Sequence, residues 1–446
     1  MSGEQSQVEP PVENNQIGTV LHSRGYLALL LVAGVLGIPL SLIAFGFLAA
    51  VHKLEHVVWH SLPHELGFEE LPAWWPIAAL GVAGVLVGLV ARHFPGHGGH
   101  VPAEGLGGGV TPPSHLLGVV LAAGASLSLG AVVGPEAPLI ALGGGLALLA
   151  VRRSRASGDA EFTTVLAAAG SCAAISAVFG NPLIAVVLFL EVLGLGRRRA
   201  LLVVLPCLMS SGVGALVFTG LGNWTGLEIG ALAIPQLDSE RLRLADVFWA
   251  VPVAVVVGVL MWAIFRAGRW TPRWAQRRLM IATVSAGLLA GCSAAIYAVL
   301  TDHSPAEVAL SGQATLAPLA TDPGAWSSGA LVLLLVCKGV AYALCLGVFR
   351  GGPAFPALFL GAVTGVLVSG WLPGMGTLAG LAIGMAAGMT VTGLPVTSVL
   401  LVVLLLGDAA TNQMPAIILA VVAALVVEEL LRTSFPSGLD QNASTA

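Results

Sequence analysis

The chain has 446 residues, of which 57% are hydrophobic and only 9% charged, with a net charge of −4. Mean hydropathy is +0.92 and the isoelectric point lies near 6.2. Soluble domains carry about 25% charged residues, so the composition excludes a water-soluble globular protein and points to a polytopic membrane protein. The slight acidic excess offers no basic surface for nucleic acid.

In chain order, residues 1–24 are polar and acidic, with Glu4, Glu9 and Glu13 around Pro10 and Pro11. They lack the cationic start of a signal peptide and are expected to form a disordered tail. A membrane domain is expected over 25–432, in two halves at 25–222 and 244–432, before a short tail at 433–446. Apolar spans fall near 26–51, 74–92, 115–133, 137–151, 162–178, 182–195 and 200–220. The second half repeats the pattern at 245–265, 280–300, 328–348, 354–370, 376–390, 395–406 and 414–431. Crossing a bilayer takes about 20 helical residues, and the spans at 137–151, 182–195 and 395–406 are too short or are cut by Gly and Pro. Broken helices survive in lipid only when they are enclosed by protein or line a water-filled path. The pattern therefore predicts the interior of a channel or transporter.

An internal repeat supports that expectation. Gly134-Pro135-Glu136-Ala137-Pro138-Leu139 resembles Gly352-Pro353-Ala354-Phe355-Pro356-Ala357-Leu358, and each is followed by a second Pro-led apolar run, at Asn181-Pro182 and at Leu394-Pro395. Interrupted helices at matching places in two halves mark a midplane ion site in an inverted-repeat fold. The predicted fold class is thus an all-α polytopic membrane protein with two inverted-topology halves and broken, re-entrant helices. Cys172, Cys207, Cys292, Cys337 and Cys345 are scattered through apolar sequence without CxxC spacing, as befits inert packing residues.

Helix N-termini can neutralise a buried anion with backbone N–H groups while leaving it free to depart, which a strong fixed cation would hinder. Three Gly/Pro loops open helices in this way, at 96–105, 130–138 and 347–357. Within this set Glu136 is the acid placed at a helix start deep in apolar sequence. A carboxylate there competes with an anion for the same donors, and carries a proton when displaced: it is a candidate gate.

These motifs resemble the CLC family of chloride channels and chloride/proton antiporters. Gly134 to Pro138 resembles the family's G-[KR]-E-G-P segment, which would make Glu136 the gating glutamate. Gly98-Gly99-His100-Val101-Pro102 resembles G-S-G-I-P, and Gly352 to Pro356 resembles G-x-F-x-P. Phe179 to Glu191 and Leu394 to Asp408 resemble the family's paired Pro-led helices. The resemblance spans about 25–432 and implies movement of chloride or another small anion, with or without protons, by a homodimer in the lipid bilayer of the plasma membrane. It places anion-binding groups at Gly98, Gly99, His100, Val101, Gly134, Ala137, Gly352, Ala354 and Phe355, and a proton path at Glu136 and Glu191. It implies no cofactor, no metal and no enzymatic activity.

The departures are specific. Gly99 stands where the family has a serine, Pro135 and Pro353 each remove an amide donor, and Tyr26, Tyr297 and Tyr342 offer no counterpart to a C-terminal site tyrosine. Glu191 is followed by Val192 instead of a second acid, which leans towards uncoupled conduction. The missing hydroxyls keep fluoride open as a substrate. Separately, His52-Lys53-Leu54-Glu55-His56 spells H-x-x-E-H, a zinc hydrolase pattern, although the polar end of a long helix with an interfacial Trp59 and a turn at Pro63 explains it better. Lys338 is expected to snorkel or to meet an acid, Asp408 to end a helix, and Glu428 and Glu429 to be solvated.

Overall fold

A computed structural model describes residues 23–107, 111–152, 160–176, 178–194, 197–226, 234–235, 237–269 and 278–435. The expected tails at 1–24 and 433–446 lie almost wholly outside the described residues, as do Arg153, Arg155 and the basic stretch at 270–277.

Helices follow from capping and apolar runs. Helix α1 (Arg24–His56) begins where the Ser23 hydroxyl accepts the Tyr26 amide at 3.1 Å. It does not turn at Pro63 but runs on through a π-helical turn, Val57–Ser61, and a last turn, Leu62–Glu65. Trp59 on that turn is buried rather than interfacial, its indole N–H donating to Ser128 O at 3.1 Å. Then come α2 (Trp75–His93), α3 (Leu116–Ser128), α4 (Glu136–Arg152) and α5 (Ala160–Ile175). The span expected at 115–133 thus stops at Ser128, because Gly130 takes φ 95° and turns the chain into an extended loop. Helix α6 (Pro182–Leu193) has Pro at its first position, an Asn181 cap and a left-handed Gly194 at its end, the arrangement these residues favour. Helix α7 (Arg197–Thr225) closes this half.

The second half contains α8 (Leu244–Gly268), α9 (Leu279–Thr301), α10 (Gln313–Thr321) and α11 (Ser328–Leu346). It continues with α12 (Ala354–Ser369), α13 (Thr377–Met389), α14 (Pro395–Leu406) and α15 (Ala410–Ser434). The packing repeats: α4 on α5 and α5 on α7 in one half match α12 on α13 and α13 on α15 in the other. Across the halves α2 packs on α9, and α6 meets α14. The fold is helical, and among the described residues strand-like pairing is confined to an antiparallel bridge between Gly134 and Gly352.

Two grades of helix result. Among the described residues, seven stretches are long and apolar enough to cross a membrane, while α3, α5, α6, α12 and α13 are shorter. The short ones carry the interior. Every α13 residue from Leu378 to Met389 is buried, whereas α1 leaves Leu31 and Val35 about two-thirds exposed, at 65% and 66%. Apolar side chains on the outside of long helices face lipid, so the chain is an integral multi-pass membrane protein. Small residues let the buried helices touch: a Cβ on Gly361, Gly365, Gly384 or Gly388 would collide with the backbone of the opposite helix in the α12–α13 pair.

Candidate functional site

The bridge between Gly134 and Gly352 joins the loops that open α4 and α12, so two helix N-termini converge from opposite halves. Glu136, first residue of α4, has no solvent exposure. Its Oε1 accepts the Phe355 amide, from the first turn of α12, at 3.0 Å. Oε2 has no partner of hydrogen-bond geometry. Helix N-termini attract negative charge with amides that have no intrahelical acceptor, which is why a carboxylate settles here. Both glycines of the bridge leave room for the carboxylate in this position, since a Cβ on Gly134 or on Gly352 would strike it. Tyr342 on α11 donates its hydroxyl to Pro353 O at 2.5 Å and so orients the peptide that opens α12.

Two cavities approach this carboxylate from different sides. One, of about 510 Å³, is lined by Val133 and Pro135 together with His52, Glu55, Glu307 and Gln313. The other, of about 250 Å³, is lined by Ala137, Ile140, Gly99, His100, His115 and Val119. The residues on either side of Glu136 in the chain therefore line separate cavities.

The loop at 96–101 borders the smaller cavity. Gly96, His97, Gly98 and Gly99 all have positive φ, at 76°, 51°, 79° and 100°. Three of the four are glycine, for which this region is cheap; His97 is not and has to be held there. Among the described residues, the amides of His100 and Val101 donate to no backbone or side-chain acceptor. The His100 ring turns away from a donor role towards an anion: Nε2 lies 3.0 Å from Gly105 O and Nδ1 lies 3.9 Å from the Glu104 carboxylate.

Three further polar residues are placed as follows. Both oxygens of Glu191 cap α14: Oε1 accepts Val396 N at 2.7 Å, and Oε2 accepts Thr397 N at 2.7 Å and Oγ1 at 2.6 Å. Its replacement by alanine is expected to lower thermal stability in detergent by about 2 kcal/mol, because three charge-assisted bonds are lost. An unchanged melting temperature would show the cap to be dispensable. Glu428 is buried, not solvated, and accepts the Thr390 hydroxyl at 2.9 Å. Asp408 lies in a 3₁₀ turn, Gly407–Ala409, between α14 and α15, as expected of a helix end.

Lys338 neither snorkels nor pairs directly with an acid. Its ammonium is fully buried and donates to four successive carbonyls, those of Glu307, Val308, Ala309 and Leu310, at 2.9, 3.2, 3.2 and 3.1 Å. Sequence reasoning also missed Arg350 and Tyr342. The available signal was position alone, a lone guanidinium and a phenol inside the apolar run that leads into Gly351-Gly352. The H-x-x-E-H residues do not assemble a zinc site: among the described residues, no three His, Cys, Asp or Glu side chains converge to hold a metal ion. His56 instead lies 3.3 Å from the Ser61 hydroxyl.

Opposed helix N-termini around a buried carboxylate, in a polytopic bundle of broken helices, define a membrane ion-transport protein. The sequence profile of a family described as voltage gated chloride channel matches residues 100–428. The putative ion-transport protein YfeO of Escherichia coli (strain SMS-3-5) is 30% identical over 363 residues, which is 79% of this chain and 82% of that protein. YfeO of Escherichia fergusonii matches to the same extent. Among solved structures, a slow cyanobacterial Cl−/H+ antiporter superposes with a TM-score of 0.74 at 19% identity, covering 90% of this chain and 94% of that one. A CLC-type fluoride/proton antiporter gives 0.69 at 17% identity, covering 91% and 96%. The chain belongs to the voltage-gated chloride channel (CLC) family.

Proposed function

We propose that this protein moves chloride across the membrane through a path between the two cavities, with Glu136 as its gate. The observation that carries the proposal is the Glu136 carboxylate on the Phe355 amide, between cavities lined by Pro135 on one side and Ala137 on the other. An anion that enters must take over these amides. While Glu136 is ionised it holds them; when it is protonated or displaced, the amides of Ala137, Ala354 and Phe355 are free for the ion. Gly134 and Gly352 supply the space in which the carboxylate moves. The resemblance to CLC proteins supports a homodimer with one path per subunit.

Transport is proposed to be uncoupled from protons. Glu191 has both oxygens engaged by the N-terminus of α14, and it is followed by Val192 where the resemblance would put the antiporters' inner proton-transfer glutamate. Fluoride is the second substrate reading, supported by the absence of a hydroxyl at Gly99.

Chloride efflux from liposomes holding the purified protein, recorded together with internal and external pH, tests these statements. Chloride flux without stoichiometric proton movement is the expected result. Stoichiometric proton counter-movement would overturn the uncoupled mechanism, and fluoride flux without chloride flux would replace the substrate. Absence of both fluxes would end the transport reading.

A further inference from the structure

Helix N-termini are thought to bind mobile anions without help from a fixed cation, yet this site has one. Arg350 is 5% exposed and sits two residues before Gly352. Its Nε and one terminal nitrogen both donate to His97 O, at 3.1 and 3.0 Å, and the other terminal nitrogen donates to Val348 O at 3.0 Å and Phe349 O at 3.3 Å. The guanidinium thereby ties the loop that opens α12 to the left-handed run at 96–99. It makes no ion pair among the described residues, and all its acceptors are neutral carbonyls. No carboxylate is bonded to the guanidinium; Glu104, on the same loop, acts on it only at longer range. It lies close to the candidate path: a Cβ on Gly98 would stand 3.7 Å from both Cγ and Nε of Arg350.

Two features accompany this placement. The bifurcated hold on His97 O stabilises a non-glycine residue at φ 51°, in a region that L side chains rarely adopt. Further along the same loop, the amides of His100 and Val101 have no acceptor among the described residues, and His100 lines the smaller cavity. Successive backbone N–H groups in such a left-handed turn form an anion-binding concavity. A buried positive charge with no bonded counter-ion alongside strengthens its attraction for an anion, because the surroundings screen poorly.

We infer that Arg350 is the anion-positioning residue of this pathway, holding the 96–101 loop in its donor conformation and supplying a fixed positive charge beside a small monovalent anion at the His100 and Val101 amides. The inference rests on the proposed transport function and deepens it. Arg350 acts here through the loop and its field, without direct contact with the ion. The substitution of the family's serine by Gly99 then has a compensation, since field and amides do what a hydroxyl would have done.

The test is the chloride dependence of efflux for the unmodified protein, Arg350→Lys and Arg350→Gln, with chloride binding to each detergent-purified protein measured by calorimetry. Arg350→Gln is expected to raise the half-saturating chloride concentration about tenfold with a smaller change in maximal flux, and Arg350→Lys, which keeps the charge but loses the fork, to restore part of the difference. A purely structural role would lower the yield of folded protein and leave half-saturation unchanged in whatever folds. Equal half-saturation in all three proteins would therefore overturn the inference, as would failure of both variants to fold. If the unmodified protein neither binds nor moves chloride, the transport reading itself fails, a result separate from any difference among the variants.

Discussion

Replacing Glu136 with alanine should make anion flux insensitive to pH, whereas the unmodified protein should conduct more as pH falls. The sign follows from the bonding. An ionised carboxylate accepts the Phe355 amide and occupies the positive end of α12; protonation removes the charge that holds it there. Alanine removes the group altogether, so the amides stay available at every pH. Glutamine keeps the shape without the charge, and should behave as a protonated glutamate frozen in place, again without pH dependence. The expected change at neutral pH is about tenfold in flux or more, since a buried charge-assisted bond contributes about 1.5–3 kcal/mol. Liposome efflux measured across a pH series decides the matter. If both variants retain the pH dependence of the unmodified protein, Glu136 is not the gate, and a second buried carboxylate such as Glu428 becomes the group to examine.

Loss of the Lys338 ammonium should be the most damaging change to stability. Lys338→Met is expected to cost about 3–5 kcal/mol, read as a fall in thermal unfolding temperature in detergent. Four carbonyls point at one buried ammonium, and a thioether side chain offers them no donor. Each buried acceptor left unpaired costs about 1–3 kcal/mol, and relaxation of the turn recovers part of that sum. The effect should spread, because the 307–310 turn is tied into other parts of the site. Leu310 N donates to Gly130 O at 2.9 Å, and the Glu307 carboxylate accepts Tyr297 Oη at 2.6 Å and Trp326 Nε1 at 2.9 Å. Glu307 and Leu310 also line the larger cavity. Arg at this position should not rescue, since a planar fork does not reproduce a compact ammonium among four successive carbonyls. A Met variant as stable as the unmodified protein would show that the turn finds other donors.

The engagement of Glu191 bears on coupling. A carboxylate whose two oxygens cap a helix is a poor proton carrier, because protonation would have to break bonds to Val396 and Thr397. Here the same side chain that could have served a proton path instead fastens the end of α6 to the start of α14. In this fold Glu191 is a helix-end carboxylate satisfied by backbone amides that come from the other half of the protein.

Sequence alone determined the membrane class, the broken helices and the carboxylate placed at a helix start deep in apolar sequence. Each of these is a local property. Apolar runs measure helix length against a bilayer, Gly and Pro interrupt or open helices, and Glu136 is visible because nothing else charged shares its loop. Local signals failed where chain direction depends on a distant partner. Trp59 looked interfacial until Ser128 O became its acceptor, and the long first helix passed Pro63 because a proline within the first turn of a helical segment needs no amide. Only the tertiary structure decided what faces what. The donor to Glu136 lies 219 residues away, Arg350 reaches back 253 residues to His97, and Lys338 finds carbonyls about 30 residues upstream. Such pairings are set by the packing of two halves against each other, and no periodicity within a single helix encodes which loop will meet which.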